Sequence, residues 1–196
     1  MKKNSYAFFV FFILVSFDTY SQKSANVQLF NQYINKFKTC TFPISDDIFI
    51  KNNLYANNTG NLSKKEFETF IFDKADTFWE YKNYSNTNKK KFFNYVAGIK
   101  FYFYENYVGT IVLRAFFCDD MFSEKTESYL CVFNKSGIKI SSLAISGVYG
   151  DTLTFDSKIY SPEKIEVNYT KYSEKGEKKY SKYYCIQKDG KIVLKK

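Results

Sequence analysis

The sequence predicts an α+β, β-dominated fold: N-terminal helices packed on a twisted antiparallel meander of about eight strands. Three observations lead there. The chain holds 22 Phe and 18 Tyr among 196 residues, and aromatic side chains suit a pleated, half-buried surface. From residue 91 onward, apolar and polar residues alternate with period two in short runs. The connections between those runs are too short for a helical crossover, which forces successive strands into antiparallel pairing. Codon usage explains part of the aromatic excess, because Phe, Tyr, Asn, Ile and Lys share AT-rich codons and Arg114 is the chain's one arginine.

Residues 1–21 read as a signal peptide. Lys2 and Lys3 are a basic start, Ala7–Phe17 is an apolar stretch, and Thr19-Tyr20-Ser21 puts small residues at the −3 and −1 positions of a cleavage site. The apolar stretch is too short to span a bilayer, so no transmembrane segment is expected once the leader is cleaved. The first cysteine is Cys40, which leaves no lipid-anchor cysteine at the leader's end.

Residues 22–90 are expected to be a helical segment that folds as one globular domain with the meander of residues 91–196. In Asn26–Phe37 the residues Val27, Phe30, Tyr33, Ile34 and Phe37 recur at helical spacing, and Thr39-Cys40-Thr41 and Pro43 end the run. A short strand is expected within Asp46–Tyr55 and a turn at Asn57–Leu62. Ser63 followed by Glu66 has the form of a capping box, opening a helix with Phe67, Phe70 and Ile71 on one face. Asn83–Lys91 is polar and reads as a loop.

The meander begins with Ile99, Phe101 and Phe103 on one face of a strand, then a turn at Glu105–Gly109. Thr110–Cys118 alternates Ile111, Leu113, Ala115 and Phe117 against Thr110, Val112, Arg114 and Phe116. Asp119–Glu127 reads as a polar loop. Tyr129–Ile145 is a hairpin hinged at Asn134-Lys135-Ser136-Gly137, and the C-terminal run repeats that form around Lys188-Asp189-Gly190-Lys191. Between them, Leu153, Phe155, Ser157 and Ile159 alternate with polar residues, Ser161–Lys164 is a turn with Pro162 at its second position, and Ile165, Val167 and Tyr169 face inward. Such a sheet needs a cover on its apolar face. Either the helices supply it, as expected here, or the sheet curls into a small barrel or sandwich; a propeller-like fragment is the remaining alternative.

Function is bounded mostly by exclusion. The chain has no His, which removes the commonest general base, metal ligand and nucleophile partner. No catalytic, cofactor-binding or metal site is expected. The net charge is +9, and loss of Lys2, Lys3 and Asp18 with the leader leaves +8. Dispersed Lys with a single Arg argues against nucleic acid and fits an acidic protein or an envelope glycan. Trp79, Tyr102, Tyr104, Tyr183 and Tyr184 are the candidate aromatic binding face. Among Cys40, Cys118, Cys131 and Cys185 three pairings exist, and Cys118–Cys131, flanking one loop, is the candidate disulfide.

The basic leader ending in Ser21-Gln22, with the AT-biased composition, resembles those of small exported Bacteroidetes proteins. The resemblance implies a periplasmic, outer-envelope or secreted location and says nothing of activity. The expected function is a non-enzymatic binding module, in its sharper form an immunity-type inhibitor of an acidic partner. The alternative is a hydrolase that uses carboxylates alone, drawn from Asp46-Asp47, Asp119-Asp120 and Asp151.

Overall fold

The structure, a computed structural model, describes residues 26–45, 62–71, 91–118, 125–149 and 152–195. Helix α1 covers residues 26–35, and α2 is a turn of α-helix at Lys64–Glu66 that continues as a π-helix over Phe67–Ile71. The strands are β1 (Lys38–Thr39), β2 (Ile44–Ser45), β3 (Lys91–Phe103), β4 (Tyr107–Cys118), β5 (Lys125–Asn134), β6 (Lys139–Tyr149), β7 (Leu153–Ser161), β8 (Lys164–Ser173), β9 (Gly176–Ile186) and β10 (Ile192–Leu194). From β3 to β10 each strand pairs antiparallel with the next, as the short connections require. β1 joins the edge of β3 in parallel and makes the sheet mixed, while β2 lies beside β7. The sheet is twisted and open, not a closed barrel.

The alternation sorts side chains onto two faces, and both are covered. Ile99, Phe101, Phe103, Ile111, Leu113, Leu130 and Val132 meet Ile145, Phe155, Ile159, Ile165, Val167 and Ile186 in one cluster. The sheet therefore curls so that its second half covers the apolar face of its first. The helices lie on the opposite face, where Phe30, Tyr33, Ile34, Phe37, Phe67, Phe70 and Ile71 pack on Tyr95, Ala97, Val108, Val112, Cys131 and Phe133. The helices pack on the meander as expected, but on the face opposite the one that the curl of the sheet covers. A bulge between Ala97 and Ile99 shifts the register of β3, so odd-numbered Tyr95 and Ala97 face the helices whereas Ile99, Phe101 and Phe103 join Val96 on the inner side.

β6 is the corner. It pairs with β5 as far as Ser146 and with β7 from Gly147. A Cβ at Gly147 would come within 2.8 Å of Glu127 Cγ and 3.2 Å of the Phe155 ring, so the strand can cross there only without a side chain. At the other end of β6, Ser141 Oγ donates to the Gly190 carbonyl at 2.8 Å and accepts from the Ile192 amide at 3.2 Å, which holds the β9–β10 turn against it.

Local signals hold where they have a mechanism. Asn134 Oδ1 accepts from the amides of Ser136 and Ile138, both at 3.0 Å, and Gly137 has φ +78°. A Cβ on Gly137 would stand 2.5 Å from Phe30 Cγ, so this turn also seats α1. The turn expected at Glu105–Gly109 instead occupies Tyr104–Asn106, with Tyr104 and Glu105 at φ +46° and +55°. Gly109 belongs to β4, directly across from Phe101. The expected loop Asp119–Glu127 also ends early, because β5 starts at Lys125 and Glu127 pairs with Arg114.

The capping box forms. Ser63 Oγ accepts from the Glu66 amide at 3.2 Å, and Glu66 Oε2 accepts from the Ser63 amide, the Ser63 hydroxyl and Lys36 Nζ, each at 2.7 Å. The end of α1 is thus tied to the start of α2. Lysines from the sheet reach both helices: Lys100 Nζ donates to the Ile34 carbonyl at 2.9 Å, a cation at the negative end of α1, and Lys139 Nζ donates to the Ile71 carbonyl at 3.0 Å. Burial pushes the Glu66 carboxyl up, but the hydrogen bonds from Lys36 and Ser63 outweigh it and leave the carboxyl below its ordinary value. A carboxyl held lower in the folded chain than in the unfolded one stabilises above the unfolded pKa, about 4.3 for Glu. That contribution is lost as pH falls through the folded value. Urea titrations between pH 7 and pH 3 should show Glu66→Gln less stable than the parent by about 1–2 kcal/mol at pH 7, with the difference closing below pH 4.

Candidate functional site

The four described tyrosines of the sequence-derived aromatic face do not share one surface. Tyr104 and Tyr184 pack against the inner cluster. Tyr104 OH donates to Glu163 Oε1 at 2.5 Å and contacts the Ile186 carbonyl at 3.3 Å. Burial and the Glu163 carboxylate push that phenol up to about 12, so it stays a donor and a structural tie. Tyr102, 61% exposed, follows Phe101 on the helix side of β3. Tyr183 lies on the outer face of β9, where it shares Glu166 with Tyr160: Glu166 Oε1 accepts from Tyr183 at 3.2 Å and Oε2 from Tyr160 at 3.0 Å. Trp79 lies outside the described residues, as do Asp46, Asp47, Asp119, Asp120 and Asp151.

The strand register sets the candidate disulfide partners far apart. Cys131 stands opposite Thr110, whereas Cys118 stands opposite Lys91 at the far end of β4. From position 110 to 118 along a strand is about 26 Å, well beyond the Cα separation a disulfide bridges.

One buried polar cluster lies on the helix side. Arg114 donates to Glu127 Oε2, Tyr129 OH donates to the same oxygen at 2.7 Å, and the guanidinium sits 5.7 Å from the Tyr129 ring centroid. Arg114 and Glu127 are register partners and both are buried. Among the described residues no buried side-chain polar atom lacks a partner, and no group of three or more Cys, Asp or Glu is placed to hold a metal. The cluster is satisfied within the fold and offers a ligand nothing.

The β8–β9 hairpin is different. Its turn pairs Ser173 with Gly176, which places Tyr169 opposite Tyr180, Lys171 opposite Lys178 and Val167 opposite Lys182. These pairs share the inner face, and Val167 is still part of the core, but toward the turn the hairpin leaves it and residues 171–183 are all exposed. Phe155, Tyr169 and Tyr180 form a ladder across three strands, with ring centroids 5.5 and 5.0 Å apart and interplanar angles of 20° and 10°. Lys182 Nζ lies 5.4 Å from the Tyr169 centroid. The outer face carries a polar ladder, in which Asn168 Nδ2 donates to Asp156 and Asn168 Oδ1 accepts from Ser181. Sequence reading placed Tyr169 on the inward face of its strand but missed this constellation, because it becomes visible only when residues on β8 are paired with their partners on β9. The signal was present: once the turn is set at Glu174-Lys175, the segment YTKYSEKGEKKY (Tyr169–Tyr180) folds Lys171 onto Lys178 and Tyr169 onto Tyr180.

Compared with known proteins, the chain matches no family model, no curated protein and no solved structure. No helix among the described residues is long and apolar enough to cross a membrane.

Proposed function

We propose that this is a non-enzymatic binding module of the exported cell envelope, working through the projecting β8–β9 hairpin and taking an acidic protein. One observation carries the reading. Lys171 and Lys178 stand directly opposite each other beside the exposed Tyr180 ring. Like charges in a cross-strand pair destabilise a sheet, so the pair costs the fold something and suits an anionic partner. A protein is favoured over an envelope glycan because the same hairpin also offers backbone groups at a sheet edge. An inhibitor of the immunity type is the sharper form: a small basic chain that covers an acidic surface on another protein. The leader-like residues 1–21 support export.

The test uses two measurements on one substitution. Lys178→Glu replaces a repulsive pair by an attractive one and should raise folding stability by about 0.5 kcal/mol. The same change should weaken association with poly-L-glutamate about tenfold at low salt, the effect shrinking as salt is raised. Loss of stability together with unchanged association would sink the proposal, and preferential binding of polygalacturonate would move it to glycans.

A further inference from the structure

If the β8–β9 hairpin is a binding module for an acidic protein, the open edge of β9 bears on how that partner is held, and the inference rests on that reading. β10 covers only the end of β9, pairing with Tyr184, Cys185 and Ile186, and the Lys195 amide donates to the Tyr183 carbonyl at 2.7 Å. On the other side of β9, the Ile186 amide donates to Pro162 at the β7–β8 turn. Backbone groups alternate in direction along an antiparallel strand. Odd-numbered residues of β9 therefore direct their amides and carbonyls away from β8. At Glu177, Lys179 and Ser181 they meet no further strand among the described residues.

The side chains give that edge a register. Even-numbered residues put Lys178, Tyr180 and Lys182 together on the inner face. The Phe155–Tyr169–Tyr180 ladder advances by 5.5 and then 5.0 Å, close to the spacing of paired strands, and ends on a ring that is 37% exposed. A further strand places a side chain opposite Tyr180 in a non-hydrogen-bonded pair, where side chains approach most closely. Residues two positions to either side of it then stand opposite Lys178 and Lys182.

We infer that β9 binds by strand addition, accepting an extended acidic segment of another protein whose central aromatic residue stacks on Tyr180 and whose carboxylates, two residues to either side, meet Lys178 and Lys182. A second copy of this chain is the wrong occupant. In the register centred on Tyr180, its β9 would set Lys178 against Lys182 and Lys182 against Lys178, and like charges directly opposite are unfavourable. The lysines that guard the edge against its own kind are the groups that recognise an acidic strand.

The experiment tracks backbone amide exchange by NMR in the full chain with two capped heptapeptides of identical composition. One is Thr-Glu-Thr-Tyr-Thr-Glu-Thr; the other is permuted so that Tyr and Glu fall on opposite faces. With the first, exchange at Lys179 and Ser181 should slow by about fivefold or more, and the permuted peptide should leave those amides unchanged. N-methylation of the first peptide along its bonding edge should abolish the protection without altering its charge. Equal protection by the permuted peptide would overturn the inference. So would binding that perturbs the lysines while Lys179 and Ser181 exchange at the free rate; in that case the module binds acidic partners by its face and the broader reading stands. Binding of neither heptapeptide nor poly-L-glutamate overturns both readings. Protection of Lys179 and Ser181 in the free chain that grows with its own concentration makes a second copy the occupant, and overturns the acidic-partner assignment.

Discussion

Arg114→Met should lower folding stability by about 3–5 kcal/mol, the expected penalty for stripping one partner from a buried ion pair. The substitution leaves Glu127 buried with Tyr129 still donating to it but without the guanidinium that balances its charge. Against a typical total of about 5–15 kcal/mol, that is a large fraction of the fold's stability, and the melting temperature of a domain this size should fall by roughly 10 °C. Arg114→Lys should recover only part of the loss, because an ammonium cannot match the planar fork nor lie across the Tyr129 ring in the same way. The double change Arg114→Met with Glu127→Leu should lie much closer to the parent, since an apolar pair of similar volume removes both charges together. Urea denaturation of the parent and the three variants checks the series. A single Arg114→Met variant within about 1 kcal/mol of the parent would mean that the pair carries little of the fold.

That pair also marks where sequence reading stopped. The alternation of IVLRAFFC placed Arg114 on the same face as Thr110 and Val112, and the structure agrees. The sequence could not reveal that this face is buried too. Alternation reports which side chains share a side of a strand; it does not report what covers that side. For β3, β4 and β5 both sides are covered, one by the curled half of the sheet and the other by α1 and α2. Lys100 shows the same limit. It reads as a solvated residue between Ile99 and Phe101, yet it is buried and holds the end of α1. The capping box and the Gly137 turn were legible because each is a short-range device in which neighbouring residues satisfy one another. The Tyr104–Asn106 turn was not, since it uses two non-glycine residues at positive φ while the glycine nearby serves the packing of another strand. The candidate binding face was half legible: its residues stand in the sequence, and only the pairing of β8 with β9 makes them one surface.

The glycine misread as part of a turn gives the second large effect. Phe101 is 1% exposed and lies across β4 from Gly109. An added Cβ on that glycine would come within 2.4 Å of Phe101 Cζ, so the ring occupies the space a side chain would take. It also meets Phe42 edge-on at 5.0 Å and Phe103 at 5.8 Å. Phe101→Ala should therefore cost about 3–5 kcal/mol, through lost burial and a cavity at the centre of the inner cluster. Gly109→Ala should cost about 1–3 kcal/mol, because the Phe101 ring must leave its place in a packed core. The two losses should not add. Once the ring is gone, a methyl at position 109 fills part of the space it left, and the double variant should be more stable than the sum by about 1 kcal/mol or more. Strict additivity in a thermal or urea double-mutant cycle would show that Phe101 and Gly109 do not share that space, and would count against the register on which the curl of this sheet depends.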